Sequence, residues 1–180
     1  MPTLPKRCTR RLTPESLDNA ALFYLERYAA SEASLRRVLL QKIRRAALRD
    51  EAFADDKAAQ DSLRAHVETI IEKHRRLGVL NDESYAAMKV AGLRRAGGSK
   101  RKIEQKLAQK GVSASTIAQA LTQEDEDSEE AELKAARAFA KKKRLGNTPK
   151  AVATMARAGF SFDVVRKILG DLGDEGDLGD

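Results

Sequence analysis

One pattern occurs twice in this chain, and it is the pattern of a helix corner. Gly111-Val112-Ser113-Ala114-Ser115-Thr116-Ile117-Ala118-Gln119-Ala120-Leu121 aligns without a gap on Gly159-Phe160-Ser161-Phe162-Asp163-Val164-Val165-Arg166-Lys167-Ile168-Leu169. Both read Gly, apolar, Ser, three residues, apolar, three residues, Leu. Glycine takes the left-handed conformation that ends a helix without a Cβ penalty. The apolar residue behind it is placed to pack back on the helix just ended. Serine two positions on accepts from the unpaired N–H groups of the next helix. A corner used twice implies a helical unit used at least twice.

The rest of the chain suits such units. It has 180 residues, 42 % hydrophobic and only 4 % aromatic, with no Trp. Ala, Leu, Arg, Lys and Glu dominate, and these are good helix formers. Charged residues make up 34 %, which favours thin helical layers with much surface over one thick core. The expected fold is all-α: an elongated, curved array of three tandem three-helix units that bury their apolar faces partly against each other. The expected boundaries are a flexible basic arm at 1–12, a first unit at 13–78 with an extra segment near 50–62, a second unit at 79–123, a third at 124–170, and a disordered acidic Gly-Asp tail at 171–180.

Local signals place the helices. Thr13-Pro14-Glu15 is a helix start, and Leu17, Ala21, Leu25 and Tyr28 recur at helical spacing, predicting a helix over about 14–29. Ser31 restarts the chain ahead of Leu35, Leu39 and Ile43. Asp50, Asp55 and Asp56 interrupt it. Leu63, Val67, Ile70, Ile71, His74 and Leu77 then form an amphipathic face closed by Gly78. Asn81-Asp82-Glu83 opens a helix carrying Tyr85, Met88 and Leu93, which stops at Gly97-Gly98. Ser99 opens a basic helix that runs to the first corner. Glu124 to Glu132 is an acidic run: a linker, a helix N-terminus, or both. A helix with Leu133, Ala136, Phe139 and Ala140 follows, then one opened by Thr148-Pro149, then the second corner, with the last helix reaching about Leu169.

The formal net charge is +7, and the cations cluster at comparable places in each unit. They are Arg36, Arg37, Lys42, Arg44 and Arg45; then Arg94, Arg95, Lys100, Arg101, Lys102 and Lys106; then Lys141, Lys142, Lys143 and Arg144. Along one edge of a helical array they can follow a nucleic-acid strand or an acidic protein surface. A solvated polar face is the bland alternative for any single residue.

Catalytic patterns are missing. His66 and His74 are eight residues apart, about 12 Å along a helix and too far to share a metal. Cys8 is the single cysteine, so no internal disulfide is possible. Gly97-Gly98-Ser99-Lys100 lacks the spacing and the preceding strand of a phosphate-binding loop. No paired carboxylates sit in an apolar surround. The expectation is a protein that is not an enzyme and needs no cofactor or metal. No apolar run reaches the ~18 residues of a membrane span, and the first residues lack the apolar core of a signal peptide. A cytoplasmic monomer is expected.

The ordered set of features resembles the RecX family of bacterial regulators. Leu80-Asn81-Asp82 with Tyr85-Ala86 is similar to that family's leucine, acid, acid, two residues, aromatic, alanine signature. Gly159-Phe160-Ser161-Phe162 is similar to its C-terminal glycine, phenylalanine, serine, aromatic signature. The likeness covers roughly residues 14–170. It implies a regulator that binds the RecA protein and the RecA–single-stranded DNA filament and lowers its ATPase, strand-exchange and coprotease activities. The cations above would then face DNA phosphates and acidic RecA surface. The chain departs from the family pattern in its first unit, which lacks the Gly corner, and in its tail. The competing class is a general DNA-binding or transcription-regulating helical protein. The short helices after the corners offer it only Thr116, Gln119, Asp163 and Arg166 for reading bases.

Overall fold

The computed structural model describes residues 12–174. The expected basic arm up to Arg11, with Cys8, and the expected tail from Glu175 on lie outside the described residues. Among the described residues there are ten helices and no strand, so the protein is all-α. They are α1 (Pro14–Arg27), α2 (Glu32–Ala47), α3 (Glu51–Asp55), α4 (Lys57–Arg76), α5 (Asp82–Arg95), α6 (Lys100–Gln109), α7 (Ala114–Glu124), α8 (Ser128–Lys143), α9 (Pro149–Arg157) and α10 (Phe162–Asp174). The chain divides into two compact units at the Asn81–Asp82 boundary.

The helix starts follow the sequence signals closely. Thr13 and Ser16 form a reciprocal capping box, with Pro14 at the first helical position. Ser31, Ser99, Ser113 and Thr148 cap α2, α6, α7 and α9 by accepting from the N–H three residues on. Asp50 and Asp56, which interrupt the apolar pattern, are the N-caps of α3 and α4. The extra segment of the first unit is therefore a five-residue helix and the first turns of a long one.

Both corners close in the same way. Gly111 has φ +79° and Gly159 φ +98°. The N–H groups of Val112 and Phe160 reach back five residues, to the Leu107 and Met155 carbonyls, at 3.2 Å in each case. This is the Schellman arrangement, and its apolar residue is buried as expected: Val112 is 4 % exposed and Phe160 5 %.

Three apolar clusters fill the interior. In the first unit, Leu17, Leu35, Leu39, Ile43, Val67, Ile70 and Ile71 meet between α1, α2 and α4. Each buried Leu or Ile contributes about 1.5–3 kcal/mol of transfer free energy. The second unit holds two clusters. One joins α5, α6 and α7 through Val90, Ile103, Leu107 and Ile117. The other joins α8, α9 and α10 through Ala136, Met155, Phe160 and Ile168. The second of these is rich in alanine, so its helices approach closely, and Phe139 packs on Phe160 with ring centroids 5.6 Å apart.

Several expectations are corrected. Helix α1 ends at Arg27, and Tyr28 is its exposed C-cap. Leu77 and Met88 are exposed. Leu77 follows α4 as its C-cap, beyond the last turn that faces the core. In α5 the inward stripe is Ala86, Val90 and Arg94, which leaves Met88 outside it. Helix α10 continues past Leu169 to Asp174, into residues expected to belong to the tail. Elongation adds one hydrogen bond per residue once a helix is nucleated, so a marginal sequence can extend a strongly amphipathic one.

Glycine 159 and glycine 78 separate two costs. Gly78 has φ +70° and open space where a Cβ would point, whereas a Cβ on Gly159 would lie 2.6 Å from Ser99 Oγ. We expect Gly78→Ala to cost about 1–2 kcal/mol, the left-handed penalty alone. Gly159→Ala should cost more, because the Ser99 cap must also move; urea denaturation giving equal losses would contradict this packing.

His74 supplies a pH signature. It is 5 % exposed, and its Nδ1 has no hydrogen-bond partner. Burial, with Lys73 adding in the same direction and Asp18 opposing, holds its pKa below the ordinary 6.5. As pH falls through 6.5 the unfolded chain takes up a proton that the folded chain refuses, so stability falls. Replacing His74 with Leu should remove that slope. The Arg-paired Glu32 and Glu68 have pKa values lowered from 4.5 and lose their contribution only below that value. Denaturation of parent and H74L across this range distinguishes the two windows.

Candidate functional site

The fifteen cations singled out in the sequence fall into three physical groups. The first group is internal. Arg94 is 9 % exposed. Its Nε and Nη2 donate to the Asp125 carboxylate at 3.1 and 2.5 Å, and its Nη1 donates to Glu132 Oε2 at 2.6 Å and to the Gly98 carbonyl at 3.0 Å. Burial by itself lowers the guanidinium pKa, but the hydrogen bonds from Asp125 and Glu132 outweigh it and hold the group above its ordinary value. Arg94 is thus removed from the expected contact edge. The arginine and its two acids come from α5, the C-cap of α7 and the second turn of α8, and they tie the two helix triplets of the second unit together.

Two close approaches finish that junction. A Cβ on Gly97 would lie 2.9 Å from the Phe139 backbone nitrogen, so α5's end and α8 touch through backbone. Ser99 caps α6 by accepting from the Lys102 N–H at 3.2 Å and donates its own proton to the Ala158 carbonyl at 2.7 Å. The Lys100 N–H donates to Glu132 at 3.0 Å. The acidic run is therefore linker and cap at once. Asp125 closes α7, Asp127 opens α8, and Glu132 serves Arg94 and the start of α6.

The second group is the cations outside the interior and outside α6, most of them at helix C-termini. Lys141, Lys142 and Lys143 fill the last turn of α8, where the helix dipole favours positive charge. Arg144 ends that helix in the left-handed conformation at φ 51°. Arg44 and Arg45 stand likewise in the last turn of α2, and Arg95 in that of α5. Arg36, half-buried, forms a bidentate pair with Glu68 at 2.8 Å, which raises its pKa. Arg37 and Lys42 are exposed on the same helix.

The third group is the one helix electrostatics opposes. Lys100, Arg101 and Lys102 occupy the first turn of α6, which holds no acid. Cations at a helix N-terminus are disfavoured by a few tenths to about 1 kcal/mol each. All three are exposed, and so is Lys106 one turn on. The Glu132 carboxylate on the Lys100 N–H is the local compensation. Lys100, Arg101 and Lys102 thus stand exposed against the helix dipole.

Sequence reasoning missed the junction. The signal was present, because Arg94 follows Ala86 and Val90 at intervals of four and so shares their inward face. Arg49 was missed too. It continues the Lys42–Arg45 stripe past the end of α2. Among the described residues no group of three or more His, Cys, Asp or Glu side chains forms a metal cage, and no helix is long and apolar enough to cross a membrane.

Helical triplets whose last two helices meet at a glycine corner define an all-α class built from three-helix blocks. A family model described as "RecX, second three-helix domain" matches residues 81–121, that is α5 to α7. The chain is 41 % identical over 176 residues to the protein named Regulatory protein RecX from Myxococcus xanthus (strain DK1622), covering 92 % of this chain and 89 % of that one. It is 33 % identical over 161 residues to the protein of the same name from Agrobacterium fabrum (strain C58 / ATCC 33970), covering 84 % and 80 %. The chain belongs to the RecX family of regulatory proteins. No solved structure matches it.

Removal of one partner from a buried ion pair leaves a desolvated charge and costs about 3–5 kcal/mol. We expect Arg94→Ala to destabilise the second unit by that order. Arg94→Met should still cost, since Asp125 and Glu132 remain charged and largely enclosed. Restoring much of that loss in Arg94→Met by adding Asp125→Asn and Glu132→Gln, measured by urea denaturation, would confirm that the network acts as one.

Proposed function

We propose that this protein is a non-catalytic cytoplasmic regulator that binds RecA and the RecA–single-stranded DNA filament and inhibits its recombinase, ATPase and coprotease activities. Membership of the RecX family carries this reading. The exposed cations in the first turn of α6 support a contact there. Arg101 and Lys102, with Lys100 and Lys106 beside them, are the cations we assign to phosphate or to acidic RecA surface. Lys141, Lys142, Lys143 and Arg144 extend the contact in the third helix block, and Arg37, Lys42, Arg44 and Arg45 in the first. The blocks 13–78, 79–123 and 124–170 are taken as successive contact modules. A monomer needing no cofactor suffices for the role, since it requires only binding.

The reading predicts salt-dependent suppression of RecA's DNA-dependent ATPase at stoichiometric protein. Unchanged ATPase and unchanged filament length would end it. The double variant Arg101→Glu, Lys102→Glu should weaken inhibition more than Lys142→Glu, Lys143→Glu, whose cations the helix dipole already accounts for. Every cation that stops pairing with a phosphate should reduce the slope of log affinity against log salt by about 1. Circular dichroism of both variants should match the parent, because all four residues are exposed.

A further inference from the structure

A groove in the first unit carries two of the cations assigned above, Lys42 and Arg45, but its apolar lining has no role in that reading. It lies along α1, α2 and α3 and encloses about 900 Å³, within the range of real ligand clefts. Its apolar lining includes Ala20, Phe23, Val38 and Ala46. Phe23 is 55 % exposed, so its ring edge is open to a partner at the groove. The cationic side of the groove is Lys42, Arg45 and Arg49. All three are exposed, and no carboxylate among the described residues pairs with them. Asp50 is the one acid in the lining, and its Oδ1 already accepts from the Phe53 N–H at 3.2 Å.

The cations have a spacing. They stand at intervals of three and four along α2 and the turn that follows it, so they form one stripe. It rises about 10 Å over seven residues at 1.5 Å each. The helix dipole accounts for a cation at Arg45, in the last turn, but not for Lys42 a turn earlier. An opposing helix has the same rise, so carboxylates spaced one turn apart on it would meet this stripe in register. Leucines on its adjoining face would enter the apolar lining.

We propose that the α1–α2–α3 groove docks an acidic amphipathic helix of a partner protein, with carboxylates on Lys42, Arg45 and Arg49 and leucine-like anchors beside Phe23. Single-stranded nucleic acid fits less well. Its bases need open aromatic faces. The Arg27 guanidinium already lies over the Phe23 ring, 4.0 Å from its centroid, and the Tyr24 ring packs against Tyr28 at 5.3 Å. Phe53 is buried in the core.

The test uses the full chain and three labelled probes in fluorescence anisotropy. One is a short glutamate-rich peptide with leucines on a single helical face. The second is the same composition scrambled, and the third is single-stranded oligothymidylate. The proposal expects the facial peptide to bind in a salt-sensitive manner and the scrambled one to bind about tenfold or more weakly. Lys42→Glu with Arg45→Glu should abolish that binding, and Phe23→Ser should weaken it by a similar factor. Those positions are exposed, so folding can be checked by circular dichroism. Equal binding of the two peptides, parent-like binding by the variants, binding of the oligonucleotide alone, or no binding would overturn the proposal. No RecA enters the experiment, so its failure is distinct from failure of the filament reading.

Discussion

The Arg94 guanidinium is the interaction on which the second unit depends. It commits all its hydrogen-bonding nitrogens to groups from three other segments: the end of α7, the second turn of α8 and the Gly98 carbonyl. Taking a charge out of water is costly, and the cost is offset only where every donor is met and the opposing charges are close. That demand fixes α5, α7 and α8 relative to one another more tightly than alanine and leucine contacts would. Hydrophobic packing tolerates small slips, whereas a fork of donors does not.

This use of arginine divides the positive charge of the chain into structural and available portions. Arg94 is occupied in the interior, and Arg36, Arg64, Arg75 and Arg76 are occupied on surface carboxylates. Exposed pairs of the second kind add little stability, but they do neutralise a charge that a simple count would assign to ligand binding. What remains is unevenly arranged. Some of it sits where helix ends welcome it, and a smaller part, at the start of α6, sits where they do not. No acid in the first turn of α6 offsets the latter.

Much of the architecture was legible from residues near each other in the chain. Caps at Thr13, Ser31, Ser99, Ser113 and Thr148 and the corners at Gly111 and Gly159 depend on backbone groups within five positions. The apolar faces of α2 and α4 obey helical period. What could not be read depends on distance along the chain. Asp125 and Glu132 lie 31 and 38 residues from Arg94, inside a run whose composition suggests a linker. Leu77 turns outward because it lies past the end of α4, and Met88 because the inward stripe of α5 runs through Ala86, Val90 and Arg94. The groove of the first unit was equally hidden, since it needs α1, α2 and α3 to converge.

Ser99 does two jobs with one hydroxyl. Its oxygen receives the proton of the Lys102 amide, and its hydrogen is given to Ala158, on the helix corner of the other triplet. The turn that carries Arg101 and Lys102 is thereby registered against a neighbour rather than left to fray. A tug on those side chains is a tug on the seam between triplets.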